Sequence, residues 1–186
     1  MNIILVNGIP DDDQWRDHES ALENLAEELE NQGAEVAYFP IQKMNFQYCQ
    51  GCWDCWTRTP GQCRIHDDGE AYLRAFSKAD TIVFFTPIIA GFISSEAKRA
   101  LDRFIPSVLP HISMYRGESH HLQRYPEIQK RLGIAILDNG NINQKSVDIV
   151  FRNFERVGRN MRSDKAIRTL FTPENQKEVL HEILSA

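Results

Sequence analysis

The chain of 186 residues has no long apolar run, no excess of basic charge and no cysteine outside one short stretch. Its longest apolar run, Thr81 to Ile93, is interrupted by Pro87 and Gly91 and is too short to span a bilayer. The opening MNIILVNG carries no basic residue and turns polar at once, unlike a secretory leader. A formal net charge of −5 argues against nucleic acid or an anionic membrane surface as partner. There is no internal repeat and no low-complexity tract. What remains is an ordinary globular composition, 42% apolar and 25% charged, long enough for a single domain over residues 1–186. These absences lead us to expect a cytoplasmic protein, and in that reducing setting clustered thiols point to metal or redox chemistry rather than structural disulfides.

The pattern along the chain alternates between two periods. Asn2 to Val6 is apolar on both faces, as a central strand of a parallel sheet should be. After a polar loop from Pro10 to Glu19, Ala21, Leu22, Leu25, Ala26 and Leu29 fall at helical spacing, with Ser20 as the expected N-cap. Strands follow at Glu35–Phe39, Thr81–Thr86, Arg131–Leu137 and, more weakly, Ala166–Phe171. Helices are expected over about Asp67–Lys78, from Ser94 or Ser95 to Ile105, along the Val147–Met161 stripe, and from Thr172 to the end. Five strands alternating with helices specify a three-layer α/β domain of flavodoxin-like fold, its five-stranded parallel sheet ordered 2-1-3-4-5. Residues 107–126, with His111, His120 and His121, fit no simple element and read as an irregular excursion or a subunit contact.

In such a sheet, ligands sit beyond the carboxyl ends of the strands, where the strand order reverses. Three loops reach that edge. The first supplies Gly8, Ile9, Arg16 and Ser20 ahead of a helix, where free N–H groups favour a phosphate. The second, Pro87, Ile88, Ile89, Ala90 and Gly91, is apolar and suits the edge of a flat ring system. The third offers Asn139, Gly140 and Asn141 as a polar wall. The set points to a flavin nucleotide. Asp11, Asp12 and Asp13 would repel its phosphate unless directed away or offset by Arg16.

The four cysteines, Cys49, Cys52, Cys55 and Cys63, lie within CQGCWDCWTRTPGQC. The C-x2-C-x2-C run is more compact than the paired cysteines of zinc sites and matches the spacing of thiolates around a 4Fe–4S cluster. Cys63 follows a Thr59-Pro60-Gly61 turn able to fold it back as a fourth ligand. Three readings stand: a cluster, thiols that only pack or form a reversible disulfide, and zinc. Trp53 and Trp56 could shield a cluster, stack on a cofactor or pack the loop down.

With these residues the chain resembles the flavodoxin-like NADPH-dependent FMN reductase family, and within it the branch of iron–sulfur flavoproteins. The resemblance runs over about 2–103, more weakly to 137. It rests on the cysteine motif and on TPIIAGFISSEAKRALDR, which looks like the flavin-ring loop with its helix and the recurrent Leu101-Asp102-Arg103. It implies FMN, with Gly8 and Ser20 on the phosphate and Pro87–Gly91 along the isoalloxazine ring. NAD(P)H would be the donor and a small molecule or protein the acceptor, directly or through a cluster. It also implies a homodimer or homotetramer. No acid–base residue is required, because hydride transfer belongs to the cofactor. Where relatives carry a short G-S-P-R loop, this chain has Gly8-Ile9-Pro10 and an acidic insert. That insert favours a rival reading: a flavodoxin-like electron carrier, or a metal or redox sensor acting through the cysteines.

Overall fold

A computed structural model describes residues 1–126, 131–163 and 166–185. Alternating burial organises it. In β1 (Asn2–Asn7), Ile3 and Leu5 face one layer while Ile4 and Val6 face the other, and all four are shut off from solvent. The same division runs through β3 (Thr81–Thr86), where Val83 and Phe85 oppose Ile82 and Phe84. A strand buried on both faces must lie inside a covered sheet. With β2 (Glu35–Pro40), β8 (Arg131–Leu137) and β9 (Arg168–Phe171) these strands pair in parallel, in the order β2-β1-β3-β8-β9. Counting only the strands of this sheet, that is the expected 2-1-3-4-5.

Helices cover both faces. On one side lie α1 (Arg16–Asn31) and α6 (Gln176–Ser185), through Leu22, Leu25, Leu29, Val179 and Ile183. On the other lie α3 (Gly69–Lys78), α4 (Ser95–Asp102) and α5 (Gln144–Asn160), through Tyr72, Phe76, Ala97, Val150 and Phe154. The last position of the expected closing segment, 186, lies outside the described residues.

Two expectations are corrected. Ser20 does not cap α1. It sits exposed in the second turn of a helix that begins at Arg16, behind a 3-10 turn over Asp13–Trp15. The apolar stripe extends upstream through buried Trp15 and His18, so packing starts the helix earlier than its leucines alone suggest. Residues 107–126 are not irregular. They hold an antiparallel hairpin of β6 (Val108–Tyr115) and β7 (Glu118–Gln123). It is closed by Arg116 and Gly117, both at positive φ, the conformation that tight hairpin turns require. Ile112 and Met114, which alternate with His111 and Ser113, are exposed by 64% and 69% and face away from the core.

Candidate functional site

The end of β1 is locked to the start of α4. Gly8 donates its N–H to Phe85 O and accepts at its carbonyl from Ser94 Oγ at 2.5 Å. Ser94 Oγ in turn accepts from Ala97 N, and Ser94 N donates to Thr86 Oγ1, all of it buried. A Cβ on Gly8 would fall 2.7 Å from Ala97 Cβ and 2.9 Å from Ala97 N, so glycine is required here by close packing. On this base stands a two-residue hairpin, β4 (Ile88–Ile89) against β5 (Phe92–Ile93), turned by Ala90 (φ 51°) and Gly91 (φ 81°). Beside it, His18 Nε2 donates to Asp138 O at 2.8 Å and ties α1 to the loop after β8.

These three loops enclose a cleft of about 490 Å³, within the roughly 300–1,000 Å³ common for small-molecule sites. Ile88, Ile89, Gly91 and Asn139 line it, as the sequence suggests. Gly8, Ile9 and Pro87 are buried framework, and Ala90 and Gly140 occupy exposed turns. Arg16 is exposed and pairs with Asp13, which offsets one of the three aspartates. Ser20 points from the second turn of α1 and is not among the cleft-lining residues.

Sequence reasoning missed Trp15, Asn143 and Ser146 in the lining. Asn143 was legible, since it caps α5 by accepting from Lys145 N and Ser146 N. Asp12 also lines the cleft and caps the 3-10 turn, accepting from Gln14 N. The Gln14 backbone N–H and side-chain amide hold its carboxyl below the usual range. The cleft therefore combines apolar walls from Trp15, Ile88 and Ile89 with amides from Asn139, Asn141 and Asn143 and one carboxylate, Asp12.

The cysteine loop leaves β2 and returns at α3. Gly51 (φ 62°) and Trp53 (φ 61°) turn the chain so that α2 (Asp54–Thr57), a single turn, directs Cys55 inward. Trp56 anchors the loop beneath the hairpin, donating Nε1–H to Val108 O at 2.9 Å with its ring 5.0 Å from His121. Trp53 lies over Trp56 at 4.6 Å and is half exposed. All four cysteines line one cavity of about 200 Å³, walled on its far side by Arg103, Ile105 and Pro106. None is in a disulfide. Burial, and then the neighbouring Cys63, Cys49 and Cys52, push the Cys55 thiol up to about 11.

Among the described residues, no three His, Cys, Asp or Glu side chains converge closely enough to hold one metal ion. The four cysteines share the lining of one cavity without converging on a point. Zinc needs four sulfurs at about 2.3 Å from one centre, whereas a four-iron cluster is a body with its thiolates set around it.

The two cavities share no lining residue, and α4 spans the distance between them. The Ala90–Gly91 turn precedes its first residue, and Asp102 and Arg103 at its last turn line the cysteine cavity. Eight residues at 1.5 Å each make α4 about 12 Å long.

Residues 1–122 match the sequence model of the NADPH-dependent FMN reductase family. The chain belongs to that family. Curated relatives of this FMN reductase family member include an iron-sulfur flavoprotein of Archaeoglobus fulgidus, 30% identical over 103 residues, 55% of this chain and 48% of that protein. One from Methanocaldococcus jannaschii is 27% identical over 115 residues, 62% and 51% respectively. The chain thus spans about half the length of the curated relatives it matches. Among solved structures, a flavone reductase aligns with TM-score 0.61 at 14% identity, over 99% of this chain and 62% of that one. An FMN-dependent NADH-azoreductase of Bacillus anthracis aligns with TM-score 0.56 at 14% identity, over 100% and 98%. At these identities the structural likeness shows the shared flavodoxin-like fold.

Proposed function

We propose that the chain is an FMN-dependent, NAD(P)H-linked oxidoreductase that delivers electrons to a small acceptor or through an iron–sulfur cluster held by Cys49, Cys52, Cys55 and Cys63. The observation that carries the reading is the cleft at the carboxyl ends of β1, β3 and β8. It is built from three loops in a domain of the FMN reductase family. When bound, FMN supplies hydride acceptance from the nicotinamide and release of electrons one or two at a time. The chain supplies the setting. Backbone groups of the Ile88–Gly91 turn would hold the ring, the amides of Asn139 and Asn141 would give polar contacts, and Trp15 and Ile89 would exclude water. What supports a cluster is that all four cysteines line the one cavity. A cluster there supplies one-electron storage between flavin and acceptor.

No described helix is long and apolar enough to cross a membrane. Four free thiols suit a reducing, cytoplasmic setting. The exposed Ile112 and Met114 support the β6–β7 hairpin as the contact of a homodimer or homotetramer.

Anaerobically purified protein should show flavin absorption bands, and a broad brown shoulder that disappears in Cys52→Ala. Turnover of NADH or NADPH with a dye acceptor completes the test. Colourless protein that also fails to bind added FMN rules the reading out. Asp12 at the phosphate end is the observation that favours the second reading, a non-enzymatic electron carrier or redox sensor. In that case, protein loaded with iron but indifferent to FMN and to both nicotinamides is the result to look for.

A further inference from the structure

Arg103 is the largest side chain fully shut off from solvent, 1% exposed, and it faces an equally enclosed Asp67. The pairing is two-pronged: Nη2 donates to Oδ1 at 2.7 Å and Nη1 to Oδ2 at 2.8 Å, while Nη1 also donates to Gln47 O at 2.7 Å. Asp67 further accepts from Gln47 N and Gly69 N. Burial works to raise the Asp67 carboxyl but is outweighed by Arg103 and these N–H donors, which hold it below its usual range. The fit leaves no slack. A Cβ on Gly69 would come within 2.8 Å of both Arg103 Cζ and Asp67 Oδ1, so only glycine leaves room for the guanidinium.

Buried ion pairs are often no more stabilising than apolar residues of the same volume, so stability alone is a poor reason for this one. Two further observations give it another purpose. Arg103 lines the cavity that all four cysteines line, and its Nε–H, with both terminal nitrogens occupied, has no partner. Buried donors are almost always satisfied, so the orphaned Nε–H is a second sign that the pair is not there for stability alone. The fixed cation stands in the wall of the cavity that the four cysteines line.

Resting on the cluster reading of that cavity, we propose that Arg103 is a positioning residue for electron storage. Held by Asp67 and given room by Gly69, its fixed charge raises the reduction potential of the group bound by the cysteines. One electron enters that group on reduction, and no proton leaves the guanidinium. The pair is dipolar, with the cation at the cavity wall and the carboxylate behind it, so the added negative charge meets the positive end first.

The test is a redox titration, followed by absorption and electron paramagnetic resonance, on full-length protein assembled anaerobically with iron and sulfide. Three proteins are compared: wild type, Asp67→Asn, and the double variant Asp67→Asn/Arg103→Gln, which leaves no unpaired buried charge. Asp67→Asn should lie above wild type. The double variant should lie below Asp67→Asn by at least tenfold in the reduced-to-oxidised ratio, about 59 mV for one electron. A merely structural role would move both variants the same way. Equal potentials, or the reverse order, with iron retained in all three, overturn this inference and leave the cluster reading intact. Wild-type protein that takes up no iron overturns both. Where the double variant does not assemble, a single-variant potential at or below wild type overturns the inference and a rise supports it.

Discussion

The cysteine cavity is closed over an ion pair with no exposure, whereas the cleft above β1, β3 and β8 is walled by residues that lie mostly at the surface. One is held by long-range contacts that join Gln47, Asp67 and Arg103 across the chain. The other sets short-range devices at its rim, an Asp12 cap, an Asn143 cap and a two-residue turn with both φ angles positive, on a base tied by the Ser94–Gly8 and His18–Asp138 bonds. The first arrangement fixes geometry before any ligand arrives and makes single substitutions expensive. The second leaves geometry adjustable and makes single substitutions mild.

The largest way to sharpen that contrast is Arg103→Ala. It leaves Asp67 buried without its cation, and should lower unfolding free energy in urea by about 3–5 kcal/mol, the usual cost of breaking a buried pair. The same pair sets an acid limit. The folded Asp67 carboxyl titrates below its ordinary value of about 3.9, so its contribution is complete above that pH and is lost as pH falls through the lower, folded value. Urea midpoints measured from about pH 6 downward should fall more steeply for wild type than for Asp67→Asn in the region below about pH 4.

Gly8→Ala should break the contrast, because it presses a methyl on the backbone of α4, which serves both cavities. A loss of about 1–3 kcal/mol is expected, together with weaker FMN binding; unchanged thermal and fluorescence titrations would count against the packing account. Asp12→Asn keeps the cap and removes the charge. It should tighten FMN binding by about tenfold at low salt, less at high salt, and leave riboflavin, which lacks the phosphate, unaffected. The smallest effect is expected for Ala90→Gly, which relieves a left-handed residue. It should gain about 0.5–1 kcal/mol if the turn keeps its conformation, read from the thermal midpoint.

The sheet was legible because strands buried on both faces leave continuous apolar runs, as in Thr81–Thr86. The cleft was legible at Ile88, Ile89 and Asn139, since fold topology alone sends those loops to one edge. What escaped depended on tertiary partners. Trp15 and His18 read as loop until their burial extends α1. In the β6–β7 hairpin the alternation is confined to Ile112 and Met114, beside Pro110 and three histidines, too short a run to stand out as a strand. Arg103 stands 36 residues from Asp67 and looks in sequence like an ordinary charge at the end of a helix. Only the fold reveals that it is enclosed.

Every thiol of the cysteine cavity comes from one uninterrupted stretch between β2 and α3, seated on the core by Ile41 and Phe46 and tied by hydrogen bonds from Gln47 to Arg103 and Asp67 and from Trp56 to the β6–β7 hairpin. Such a segment is a cassette. It can be inherited, discarded or grafted as a unit, provided that Asp67, Gly69 and an arginine at the end of α4 travel with it. The flavodoxin-like sheet beneath would keep the same strand order either way.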